Sequence, residues 1–205
     1  MWYPSVTTVT GFSSREFFAE WSKDPENHKK SQYAASRGTK LHSYIEKRLL
    51  NEPVDFSDDT TSAPLLYEDI VPYLHKINNI RAQETTLWSP TIRIAGRLDL
   101  LSDYAGIPSV VDFKSSTKWK AEEYIQNYFE QCTIYSIMWT QLIKQPIKQI
   151  VVLIATENSG VQEFVRNPVD YVPKVYRTLK NFWKHHNFER IQETLNALTT
   201  HHNRE

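Results

Sequence analysis

The stretch Ala95–Ser116, AGRLDLLSDYAGIPSVVDFKSS, runs with Leu, Ile and Val on either side of a Tyr-Ala-Gly turn, the pattern of two β-strands joined as a hairpin. Into these strands it sets Asp99, Asp112 and Lys114, where an ordinary core wants valine. Residues two apart on a strand share a face, so Asp112 and Lys114 point the same way. Directly opposed residues of an antiparallel pair stand about 4.5–5.5 Å apart, so Asp99 and Asp112 can flank one small site. Two carboxylates that close repel each other unless something positive lies between them. Lys114 can supply that charge as a structural ion pair. A hard divalent cation is the favoured partner, because a partly buried pair with two like charges is costly to keep.

Around this hairpin the chain reads as an α/β domain. ETTLWSP, beginning at Glu84, is a third strand ahead of the hairpin, giving a three-strand meander. Trp119 to about Lys144 has helical spacing, with Ile125, Phe129, Ile134, Ile137 and Met138 apolar. IKQIVVLIATE then reads as a strand buried on both faces, VQEFVRNP as a short strand, and DYVPKVYRTLKNFWKHHNFERIQETLNAL as a final helix or pair of helices. Upstream, Ser13 or Ser14 caps a helix bearing Phe17, Phe18 and Trp21, and DPEN breaks it. A helix is predicted over about 38–50, a polar loop follows, and LLYEDIVPYLHKINNI resumes helical spacing with a start or kink near Pro72. The expected architecture is one domain over 1–205: a helical part (1–80), a sheet core with the long helix (81–167) and C-terminal helices (168–205). The mixed central sheet is flanked by α-helices.

Composition limits the chemistry. With 40% hydrophobic and 23% charged residues, the 205-residue chain can bury a core. Its single cysteine, Cys132, excludes an intrachain disulfide, a four-thiolate zinc site and an iron–sulfur cluster held by one chain. Lys and Arg number 24, as do Asp and Glu, so any nucleic-acid footprint is local. The late stripe Lys174, Arg177, Lys180 and Lys184 is either such a footprint or a solvated helix face. No apolar run reaches membrane-spanning length, and MWYPSVTTVT has neither a secretory nor a transit character, so the expected setting is cytoplasmic with no membrane partner.

Asp99 followed by Asp112-Phe113-Lys114 resembles the core signature of the PD-(D/E)XK nuclease superfamily, whose fold is restriction-endonuclease-like. Three further stretches are similar to its RecB-like exonuclease branch. RGTKLH (37–42) matches a motif whose histidine is a metal ligand in that branch, which implies the same for His42. The resemblance also implies an acidic residue at Glu84 that approaches the metal directly or through water. Edge-strand surface glutamate remains the other reading. Gln131-Cys-Thr-Ile-Tyr135 matches the Q-x-x-x-Y motif, whose residues four apart share a helix face and can give an amide and a phenol to phosphate oxygens. The opening YPSVTTVT, with RGTKLHSYIEKRL, is similar to the mitochondrial genome maintenance exonuclease group and its phage relatives. The absence of a targeting extension favours a phage-infected or bacterial cell over the organelle.

The resemblance implies Mg²⁺ or Mn²⁺ held by His42, Asp99, Asp112 and the Phe113 carbonyl. Catalysis would rest on Asp99, Asp112, Lys114 and Glu84, and hydrolysis of DNA phosphodiesters would occur at single-stranded ends. An imidazole ligand suits Mn²⁺ better than Mg²⁺. Candidate substrate contacts are Arg37, Lys40, Ser115, Lys118, Trp119, Gln131 and Tyr135, since single strands are gripped by cationic grooves with stacking aromatics, for which Tyr124 and Tyr128 are also available. A structure-specific or restriction-like endonuclease shares the same residues, and a catalytically idle DNA-binding recombination partner is the third alternative.

Overall fold

The computed structural model describes residues 3–186. Five strands form one sheet in sequence order: β1 (Ile77–Ser89), β2 (Ile94–Tyr104), β3 (Ile107–Ser116), β4 (Gln149–Thr156) and β5 (Gly160–Arg166). Only β3 and β4 pair in parallel, and every other neighbour is antiparallel, so the sheet is mixed as expected. The helices are α1 (Val6–Thr10), α2 (Arg15–Trp21), α3 (Pro25–Leu49), α4 (Ala63–Leu74), α5 (Gln126–Ile143) and α6 (Val172–His186). A parallel pair needs a crossover, and α5 supplies it between β3 and β4.

Strand β4 shows how the layers form. All eight of its residues are buried. Ile150, Val152 and Ile154 pack into a core with α5, α1 and α6, while Val151, Leu153 and Ala155 pack into a second core with α3 and α4. The period of two thus divides the strand between two helical layers, which is why the sequence there is continuously apolar rather than alternating. On β3 the same alternation sends Val111 and Phe113 to the α3–α4 side and Val110 to the α5 side, so Asp112 and Lys114 face α5.

Three boundaries differ from the sequence reading. Asp24-Pro25 begins a helix as well as ending one: the Asp24 side chain accepts the Glu26 N–H at 2.8 Å and Pro25 takes the first turn, so α3 starts at Pro25 rather than near residue 38. Ile77–Ile80 is the start of β1, not the end of a helix. Its pairing shifts between Asn78 and Ala82, with Asn79 at φ 49, and this irregularity hides the strand's period. The segment from Trp119 reaches regular helix only at Gln126, after a 3₁₀ turn over Glu122–Tyr124. Ser14 stands at the α2 N-cap without a side-chain capping bond, and Phe17 and Phe18 are exposed rather than packed. The second part of the expected C-terminal helices lies outside the described residues.

Candidate active site

The site forms where β2 parts from β3. Their ladder ends at Leu100–Val111, one step short of Asp99 and Asp112. There Asp99 Oδ2 accepts the Phe113 N–H at 2.8 Å, so a carboxylate replaces a backbone carbonyl in pairing the strand. On the other side, β1 and β2 pair at Gln83–Leu100 and Thr85–Leu98, with Glu84 and Asp99 unpaired between them. The same step changes the face of β2: Leu98 packs in the α5 layer and Leu100 in the α3 layer, although residues two apart on a regular strand share a face. Glu84 holds φ 47, a left-handed conformation that costs a non-glycine residue about 1–2 kcal/mol. A local break in both strands therefore aims Glu84 and Asp99 toward one point.

From the opposite layer α3 supplies His42. Its Nε2 lies 2.8 Å from the Phe113 carbonyl oxygen, and its Nδ1 lies 3.4 Å from Glu84 Oε1 and 3.6 Å from Asp99 Oδ1. One ligand atom each from His42, Glu84 and Asp99 lies within 4.8 Å of the others. Ligands about 2.1 Å from an octahedral Mg²⁺ stand about 3–4 Å apart, so small side-chain adjustments let one cation take all three. One nitrogen and two carboxylates form a donor set suited to Mn²⁺ or Mg²⁺.

The electrostatics point the same way. Burial opposes charge on His42, but Asp99 and the bond to Glu84 outweigh it and lift the imidazole to about 9. Burial, then the nearby Asp112, pushes the Asp99 carboxyl up. Burial would also raise Glu84, but His42 and Arg97 hold it below its ordinary range. The carboxylates thus draw positive charge to the point where a cation would sit.

Asp112 lies outside the three-residue cluster. Lys114 Nζ is 2.6 Å from both Asp112 oxygens, and the Oδ1 contact has hydrogen-bonding geometry. Burial would lower the Lys114 ammonium, yet Asp112 and Asp99 more than compensate and hold it above its ordinary value. The ammonium also lies 5.2 Å from the centre of the Tyr128 ring on α5. The Phe113 carbonyl, expected among metal ligands, is the acceptor for His42.

The candidate substrate contacts divide. Arg37 is corrected from a groove cation to an internal brace: only 2% of its side chain is exposed, and it meets Glu157 at 2.7 Å, Thr117 at 3.2 Å and Ser115 at 3.3 Å. Those contacts tie α3 to the ends of β3 and β4, and they also occupy the Ser115 hydroxyl. Lys40 is paired with the buried Asp59 at 2.7 Å. Gln131 and Tyr135 are buried behind the site, Gln131 donating to Thr10 at 3.2 Å and Tyr135 to the Arg97 carbonyl at 2.8 Å. Gly96 permits the second contact, because a Cβ there would stand 2.7 Å from the Tyr135 hydroxyl. Trp119 is 60% exposed on the loop after β3. That loop is held by Ser116, which bonds the Lys118 backbone, and by the Gln162 amide, which bonds Lys120 N–H and carbonyl at 2.8 Å each. In the late basic stripe, Lys174 is 3.4 Å from Glu130.

Sequence reasoning missed Arg97, whose Nε lies 2.7 Å from Glu84 Oε2. The available signal was Arg-Leu-Asp, a two-residue step to Asp99 that on a regular strand would share its face.

Among the described residues no helix is long and apolar enough to cross a membrane. No curated protein sequence matches the chain. A crystal structure from Eubacterium rectale, of a protein provisionally named an exonuclease, has a similar fold: TM-score 0.50 at 14% identity, over 80% of this chain and 68% of that one. The model of the PD-(D/E)XK nuclease superfamily matches residues 12–203. A family pattern of that extent leaves little of the chain outside it, and the chain belongs to the PD-(D/E)XK nuclease superfamily.

Proposed function

We propose that this chain is a divalent-metal-dependent DNA exonuclease acting on single-stranded ends. The observation that carries the reading is the convergence of His42, Glu84 and Asp99 within 4.8 Å, beside the Asp112–Lys114 pair. His42, Glu84 and Asp99 would hold Mg²⁺ or Mn²⁺, and Asp112, expected among the ligands, would stay paired with Lys114. A cation bound there supplies Lewis acidity and lowers the pKa of a bound water.

The chain's own groups divide the remaining work. Lys114 presents an ammonium to a non-bridging phosphate oxygen and offsets the charge that grows there in the transition state. Asp112 orients that ammonium. The Phe113 carbonyl fixes the His42 ring by accepting its Nε2 proton, which leaves Nδ1 as the ligand atom. A single-stranded substrate is supported by Trp119, which stands exposed on an anchored loop five residues beyond Lys114, and by the balance of 24 basic and 24 acidic residues, which disfavours broad coating of a duplex.

A time course on linear single strands labelled at the 5′ or the 3′ end, run beside closed circular single strands, tests the reading. Mononucleotides or short products released from one labelled end in Mn²⁺, with circles intact, are expected. Nicking of the circles would make the chain an endonuclease. No cleavage of any DNA in either metal would refute the proposal.

A further inference from the structure

Beside the metal cluster runs a groove of about 380 Å³ between α3 and the β1–β2 hairpin. Thr39, His42, Ser43 and Glu46 line one wall at helical steps of three, one and three, a single face of α3. Glu84 and Arg97 line the other. Because His42 and Glu84 belong both to this groove and to the cluster, anything lying in the groove touches the site from the side.

Arg97 is the basic residue of this groove besides His42, and it is only partly committed. Its side chain is 61% exposed, and Nε alone meets Glu84 Oε2, at 2.7 Å. Among the described residues Nη1 and Nη2 have no partner, and neither do the Thr39 and Ser43 hydroxyls across the groove. The backbone of Arg97 is nonetheless fixed, by pairing with Thr86 and by the Tyr135 hydroxyl on its carbonyl at 2.8 Å. An anchored backbone, an Nε held by a carboxylate and a free outer edge make a fork suited to two oxygens of one phosphate.

We propose that Arg97 grips a backbone phosphate of the nucleic acid adjacent to the one being cut, with the strand following the groove past Thr39 and Ser43. The proposal rests on the nuclease reading and deepens it. Glu84 divides its oxygens, Oε1 toward His42 and Oε2 toward Arg97. As Glu84 shares its charge with a cation, less of it remains to neutralise Arg97, and the guanidinium becomes a stronger anion site. The contact is to phosphate rather than base, so it carries no sequence preference. Tyr135, buried behind the groove wall and not part of its lining, acts here by positioning the Arg97 backbone.

Binding of a fluorescein-labelled oligothymidylate in Ca²⁺, followed by anisotropy across a salt series, tests this in wild type, Arg97→Gln and Arg97→Lys. Isothermal titration with Mn²⁺ alone accompanies it. Arg97→Gln is expected to raise the oligonucleotide Kd about tenfold. It should flatten the slope of log K against log salt by about 0.7, the value of one phosphate contact on a single strand. Arg97→Lys should keep the wild-type slope with an intermediate Kd, since it retains the charge and loses the fork. An unchanged Kd and slope in Arg97→Gln overturns the proposal. So does an unchanged slope with Mn²⁺ affinity falling about 10–100-fold, the signature of a residue that only orients Glu84. A wild-type protein that binds no oligonucleotide overturns the nuclease reading as well, which separates the two failures.

Discussion

His42 Nε2 lies 2.8 Å from the carbonyl oxygen of Phe113, the residue between Asp112 and Lys114. This bond joins the α3 layer to the strand that carries the acidic motif, and it requires the Nε2 proton. The neutral ring then has its lone pair on Nδ1, toward Glu84 and Asp99. One backbone carbonyl thereby sets the tautomer that a metal ligand needs.

Metal affinity should therefore rise with pH. With its pKa lifted to about 9, His42 is protonated at neutral pH, and a cation must displace that proton. Mn²⁺ affinity measured by calorimetry is expected to increase up to about tenfold per pH unit between pH 6.5 and 9. His42→Ala should bind weakly and lose most of this dependence. In EDTA the sign for stability is opposite: a pKa raised above the ordinary 6.5 gives a contribution present in full below pH 6.5 and lost as the pH passes 9. Urea midpoints of wild type and His42→Ala should converge at high pH.

Asp112 and Lys114 should be separable into stability and turnover. Removing one partner strands the other as a poorly solvated charge, so Lys114→Ala and Asp112→Ala should each cost about 3 kcal/mol in denaturant unfolding and abolish cleavage. The double variant Asp112→Leu/Lys114→Met should recover much of the stability and none of the cleavage. Recovery of activity with stability would show that the pair is structural.

At Glu84 the backbone and the side chain make opposite demands. With φ at 47, Glu84→Gly should be about 1 kcal/mol more stable than Glu84→Ala, while both lose Mn²⁺ affinity equally. Equal stability of the two variants would show that the left-handed conformation carries no strain.

Gly96 and Tyr135 should be energetically coupled. A Cβ on Gly96 meets the Tyr135 hydroxyl at 2.7 Å and Val6 at 2.7 Å, so Gly96→Ala is expected to cost about 1–3 kcal/mol. Adding Tyr135→Phe removes one of the two clashes and should restore part of that loss. Simple additivity in the double-mutant cycle would deny the contact.

The sheet was legible because its strands announce themselves in different ways: β4 by an unbroken apolar run between two helical layers, β3 by its apolar residues around a charged pair. Asp99, Asp112 and Lys114 drew attention because charge stands out in an apolar hairpin, and His42 because it closes the Arg-Gly-Thr-Lys-Leu-His motif of the resemblance. Glu84 was implied only by the resemblance, with an edge-strand surface glutamate as the other reading, since what aims it at Asp99 is a break in strand geometry that leaves no compositional mark. Arg37 misled for a related reason. A basic residue in a polar sequence reads as surface, and only the fold brings Glu157, 120 positions later, into its reach. Arg97 shows the converse: its spacing to Asp99 was visible, but its free edge depends on where Glu84 and Tyr135 come to lie.

The most direct measurement is anomalous diffraction from crystals soaked in Mn²⁺. A manganese peak within about 2.3 Å of His42 Nδ1 and of carboxylate oxygens of Glu84 and Asp99 is predicted, and it should be absent from Asp99→Asn crystals. A protein that cleaves DNA in Mn²⁺ with no peak between these three side chains, or with its peak elsewhere, would contradict the account.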